Sequence, residues 1–198
     1  MDTGFDPFEL MKYFWVLAYA AIIGIAYLIG KLAMRKRLNK LRDLAPFLSA
    51  QAVSGFMGPR LEGVKGGRKF RVTVLSGGKG SPPVLRLTIE SFLPVSFTIH
   101  RPTSLTGLLG SFLKRAPTGD PEFDAEFFCS SPDATAFASV FSDARRRDAA
   151  RGLLNRGYQQ VEVKKGEAAA ILPSSDIDTE LDPARISGAL DDLAGLSA

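Results

Sequence analysis

From Tyr13 to Gly30 the chain reads "YFWVLAYAAIIGIAYLIG", 18 residues without a charge, and Lys31, Leu32 and Ala33 carry it to bilayer length. A helix needs roughly 20 mostly apolar residues to cross a hydrocarbon core of about 30 Å. One isolated span cannot close a barrel, so only a helix satisfies its backbone there. Tyr13 and Trp15 stand at one end, at the headgroup level that amphipathic rings prefer. A cleaved signal peptide would begin basic and end on small residues. Residues 1–12 instead carry Asp2, Asp6 and Glu9 against Lys12 alone. The sequence therefore predicts a retained, single-pass transmembrane helix over residues 13–33.

The flanks set the orientation. Lys31, Arg35, Lys36, Arg37, Lys40 and Arg42 follow the span, against one cation before it. The side richer in Lys and Arg stays cytoplasmic. Residues 1–12 are thus expected outside, with a basic juxtamembrane neck (34–59) and a folded domain (60–198) in the cytoplasm. A single cysteine, Cys129, permits no intramolecular disulfide and suits a reducing compartment.

Charge is unevenly placed. Residues 1–44 hold 7 Lys/Arg and 4 Asp/Glu, whereas residues 45–198 hold 18 and 17. The basic excess is largely juxtamembrane, where Arg35, Lys36, Arg37, Lys40 and Arg42 would meet anionic lipid at about 1 kcal/mol per cation. Nucleic-acid binding would need a basic stripe with stacking aromatics on the folded part, and the near-balanced domain offers none.

Beyond the neck, whose Leu38, Leu41, Leu44, Leu48 and Ala52 fit a helical stripe with a break at Pro46, period-2 alternation takes over. It marks strands at 69–75, 84–90 and 95–100; a first strand is expected at 61–64, and a later pair at 158–163 and 168–173 flanks the turn "KKGE". Gly- and Pro-rich joins between them imply an antiparallel meander. Helices are expected at 132–142, with Ser131 as cap, at 144–156, ended by Gly157, and at 183–196, begun by Asp182-Pro183. The class is α+β: an antiparallel sheet with helices on one face.

Four carboxylates, Asp120, Glu122, Asp124 and Glu126, fall at every second position. An extended chain would turn all four one way and Phe123, Ala125 and Phe127 the other, as on an amphipathic edge strand. A calcium loop of the helix-loop-helix type needs Gly sixth and Glu twelfth. Counted from Asp120 these places hold Ala125 and Ser131. The acids read as a wet strand face, with a weak cation site or pairing to Arg side chains as alternatives, Asp120 capping its turn and Asp124 reaching an Arg of 145–151.

Other motifs point to ordinary roles. "GGKGS" (77–81) lacks the Gly spacing and following helix of a phosphate loop and reads as a hairpin turn. His100 and Cys129 are solitary, and a nucleophile pair would need the fold to unite them. No metalloprotease, serine-elbow or paired-cysteine motif is present, so no cofactor is implied. "SLTGLLGSFLKR" (104–115) has helical spacing of Leu and Phe and would pack on the sheet or touch a bilayer or partner. "DARRRDAARGLLNR" (143–156) offers Arg145, Arg146, Arg147 and Arg151 to solvent, lipid or an acidic partner. Ala20/Gly24 and Ala26/Gly30 are small pairs four apart that can bring two spans together as a homodimer.

An N-terminal anchor, the "LRDLAP" neck, the strand pair around "GVKGGRKFRVTV" and the later "TGDPEFDAEF" together resemble single-pass bacterial membrane proteins without an assigned chemistry. The resemblance implies a bacterial inner membrane and carries no activity or site residue with it. The expected function is a membrane-anchored cytoplasmic binding or scaffold module. The alternative is a membrane-tethered hydrolase or metal-dependent enzyme working through the acidic strand 120–126.

Overall fold

The structure, a computed structural model, describes residues 7–55, 58–78, 80–102, 115–164 and 166–198, with side chains from Tyr13 onward. The segment 104–114, including most of "SLTGLLGSFLKR", lies outside these residues.

The apolar run forms part of one continuous helix, α1 (Pro7–Leu44). It is the one described helix long and apolar enough to cross a membrane, and its apolar window is not buried anywhere in the fold. The same helix then changes environment. Leu41 is fully buried and Leu44 nearly so, while Leu32 is 62% exposed. The last turns of α1 are therefore core, packed on the first two strands of the domain.

A 3₁₀ turn (Pro46–Leu48) ends the helix, and Ser49, left-handed at φ 50°, swings the chain into β1 (Ala50–Gly55). The expected helical neck over 34–59 is thus corrected. Leu48 and Ala52 satisfy a helical stripe, but residues 50–55 gain a full antiparallel ladder against β2 (Gly58–Lys65), which a lone helical turn beyond Pro46 could not match. The sheet begins at Ala50, not at residue 60.

The chain continues through β3 (Arg68–Leu75), β4 (Val84–Glu90), β5 (Phe97–His100), α2 (Pro121–Glu126), β6 (Phe128–Ser130), α3 (Ala134–Phe141), α4 (Ala144–Asn155), β7 (Gln160–Lys164), β8 (Glu167–Pro173), α5 (Ile177–Glu180) and α6 (Pro183–Leu196). The strands form one eight-stranded sheet in the order β1-β2-β3-β4-β8-β7-β5-β6, antiparallel at every pairing. The first four form a meander, but β5, expected to continue it beside β4, pairs with β7 instead, because the β7–β8 hairpin inserts between β4 and β5.

Register places Ala52, Leu61, Val72, Leu87, Ala170, Val161, Ile99 and Cys129 in one row across all eight strands. From Leu61 onward this row is almost completely buried, because α1, α4 and α6 lie on that face. Burial on this scale, at about 25 cal/mol per Å² of apolar surface, is the main force holding the layers. Ala168 and Ala170 keep β8 low where α6 crosses it. Gly63 does the same beside Phe70, whose ring carbons lie 2.7 Å from where a Cβ would sit.

The helices start where side chains supply caps. Asp133 accepts from Ala136 N at 2.9 Å and Asp182 from Arg185 N at 2.8 Å, each satisfying a first-turn N–H without a helical partner. Ser131 was the expected cap of α3. Its Oγ instead donates to Ser96 O and accepts from Asp133 N, one step upstream. Behind β5, Phe97, Phe137 and Phe141 form an aromatic cluster with centroids 4.5–5.3 Å apart, near the preferred range for edge-on rings.

Candidate functional site

The acidic segment is not a strand. Asp120 is the N-cap of α2, its carboxylate accepting from Glu122 N at 3.0 Å and Phe123 N at 3.1 Å, with Pro121 in the first turn. Period-2 acids also satisfy a helical rule, since every second pair falls four residues apart. Glu122 and Glu126 share one side of α2. Phe123 and Phe127, likewise four apart, are both buried.

The carboxylates find partners within the chain. Arg147 Nε lies 2.9 Å from Asp120, and Arg151 lies 3.3 Å from Glu126 and 3.9 Å from Glu122. The expected pairing of Asp124 with an Arg of α4 is not made. Asp124 instead accepts from Thr118 N and Thr118 Oγ1, both at 2.9 Å, and from Gly119 N at 3.3 Å, closing the loop before α2. The Phe123 and Glu122 amides, with Arg147 nearby, hold the Asp120 carboxyl below the usual range. Among the described residues, no group of three or more His, Cys, Asp or Glu is arranged to hold a metal ion.

The arginines of α4 serve the same local purpose. Arg146 donates to Val140 O at 2.9 Å and to Ala198 O at 3.0 Å. Arg147 reaches Phe141 O and, at 3.0 Å, Ser142 O. These contacts tie α3, α2 and the C-terminus to α4, and of Arg145, Arg146, Arg147 and Arg151 only Arg145 is exposed.

Cys129 and His100 are separated by the sheet itself. Cys129 pairs with Ile99 and points into the core at 1% exposure, while His100, the next residue, faces the other way and stacks on Phe128 at 5.0 Å. Burial pushes the Cys129 thiol up to about 12. Neutral thiols are poor nucleophiles, so this geometry gives no Cys–His pair.

The sheet face turned away from the helices is polar. Glu62 receives Arg60 at 2.6 Å and Arg71 at 3.2 Å, and the hydrogen bond from Arg60 holds its carboxyl below the usual value. Further along, Glu162 is only 7% exposed and receives Arg86 at 3.1 Å and Lys164 at 2.7 Å. Alternation in β3, β4 and β7 pointed to this wet face, whereas the pairing of its charges depends on strand order.

The basic neck divides into two groups. Lys40 and Lys36 meet Asp178 of α5 at 2.7 and 3.4 Å, and the Lys40 contact holds that carboxyl below its ordinary value. Arg37 donates to Ser76 Oγ, just beyond β3, at 2.8 Å. Arg35 and Arg42 are exposed. Asp178 and Ser76 gave no signal in the sequence, because only the fold brings them to α1. The neck thus fastens the long apolar helix to the domain, and that junction is the feature with the clearest functional reading.

The fold and junction define an α+β domain carried on a long apolar N-terminal helix. No family model matches the chain, and no curated protein matches it. Among solved structures it is similar to the mycobacterial trehalose monomycolate transport factor A, TtfA, at a TM-score of 0.50 and 9% identity, covering 80% of this chain and 95% of that one. At that identity the likeness is one of fold.

Proposed function

We propose that this chain is a membrane-anchored binding module, with α1 crossing a bacterial inner membrane, the N-terminus outside and the domain held on the cytoplasmic surface. The observation that carries this reading is the change of environment along α1: exposed apolar side chains to Leu32, then Leu41 and Leu44 in the domain core. The first part needs a hydrocarbon solvent, since water would meet a contiguous apolar surface far larger than soluble proteins display. The second part leaves no free linker, so the domain is presented at a fixed height. The excess of Lys and Arg after the span supports the orientation. The fold neighbour is itself called a transport factor, which favours an accessory role at a membrane over a catalytic one.

Alkaline extraction of membranes, followed by protease treatment of inside-out vesicles and of spheroplasts, tests the proposal. The chain should remain in the membrane pellet, and the domain should be cut only in inside-out vesicles. Release by alkali, or cutting only in spheroplasts, would overturn the anchor or its orientation respectively.

A further inference from the structure

A cavity of about 480 Å³ lies where α1 leaves the proposed membrane and meets the strands, within the roughly 300–1,000 Å³ of ordinary ligand sites. Tyr27, Gly30, Lys31, Met34 and Arg37 face it from one side of α1, spaced at three and four residues as one helix face requires. Pro59 of β2, Val74 of β3 and Ser76 close the other side. From Tyr27 to Arg37 the helix rises about 15 Å, so the cavity would run from acyl-chain depth to headgroup depth. Its inner lining is apolar and aromatic. Its described lining includes two cations, Lys31 and Arg37, and no carboxylate.

We propose that this cleft holds a single anionic phospholipid, its phosphate on Lys31 and Arg37 and an upper acyl chain along Tyr27, Gly30 and Met34. The inference rests on α1 spanning the bilayer. Charge complementarity selects the occupant. Lys36 and Lys40 are already committed to Asp178, whereas Arg37 spends one nitrogen on Ser76 and keeps further N–H groups for a phosphate. Lys31 Nζ stands 5.9 Å over the Tyr27 ring, one turn deeper in the proposed span, and would swing toward the headgroups, as basic side chains at this boundary do, to meet the phosphate. Gly30 leaves the cleft open: a Cβ there would meet nothing within 4 Å.

The full chain, purified in mild detergent from vesicles of equal phosphatidylglycerol and phosphatidylcholine, tests this by native mass spectrometry of retained lipid. Phosphatidylglycerol should be retained singly and in preference to phosphatidylcholine. K31Q and R37Q should each lower retention about fivefold, the equivalent of ~1 kcal/mol per interfacial cation. Gly30→Leu should abolish retention by filling the cleft. Soluble glycerol phosphate should not displace the lipid, since it lacks the acyl chain. Equal retention of both lipids, unchanged retention in R37Q and Gly30→Leu, or complete displacement by glycerol phosphate would overturn the proposal. Alkaline extraction of each variant separates this failure from loss of the anchor: a chain that stays inserted without selective lipid refutes only the lipid site.

Discussion

Replacing Leu41 with Ala perturbs the point where the long apolar helix and the domain become the same object. Leu41 is completely buried in the domain core, so the substitution removes transfer free energy and leaves a cavity, together costing ~2–5 kcal/mol. A domain of this size has a total stability of about 5–15 kcal/mol, and at an m-value of about 2 kcal/mol/M the urea midpoint should fall by about 1–2.5 M. The lone Cys129, buried on β6 at the far edge of the sheet from β1, reports the opening without an engineered cysteine. Pulsed thiol labelling of the full chain in nanodiscs across a urea series gives the midpoint. L32A, at a position 62% exposed, is the control and should leave it unmoved. If L41A matches wild type, α1 ends outside the core and the junction described above is wrong.

Other consequences are tested more briefly. At neutral pH the native Cys129 thiol, buried and pushed up to about 12, should label far more slowly than glutathione; equal rates would mean that β6 is open. Asp178 is held below its ordinary pKa chiefly by Lys40, so the folded state binds its proton more weakly than the unfolded chain. Its contribution is present above the unfolded value of about 4 and is lost as pH falls through the lower folded value. D178N should therefore narrow the stability difference between pH 6 and pH 3 in urea titrations; an unchanged difference would remove Asp178 from the clamp. Phe141→Ala, in a fully buried aromatic cluster, should cost ~3–5 kcal/mol in the same assay. Arg147→Ala should lower the melting temperature of the domain, because Arg147 ties Asp120 and the end of α3 to α4; an unchanged melting temperature would mean these contacts are not used.

Local rules read most of the elements. β3 and β4 were visible within a residue or two, because alternation over seven or eight residues matches only a strand with one buried face, and β8 was visible as an apolar run beside the turn at Lys164–Glu167. α6 was visible from end to end through its Asp182-Pro183 start. The same signature, Asp120-Pro121, opens α2, and there the alternation of acids outweighed it. Every second position includes every fourth, so the Phe123/Phe127 pair fits a strand and a helix equally well, and the cap was the deciding signal. β1 was hidden for a different reason. Residues 50–55 alternate weakly, and their state is set by the β2 ladder rather than by their own side chains. Strand order, the Asp178 clamp and the Arg37–Ser76 contact are long-range pairings that no local pattern carries. The long apolar helix was legible at once, but the burial of its last two turns in the domain was not.

The most direct measurement is the distance between spin labels on the span and on the domain, in a Cys129→Ala background in nanodiscs. Labels at Leu32 and Phe92, both exposed, sample the helix and the connection that leaves β4. A single narrow distance distribution, unchanged between detergent and nanodisc, is the result expected of a helix that continues from the bilayer into the core. A broad distribution, or one that shifts with the surroundings, would show an anchor joined by a hinge and contradict the account.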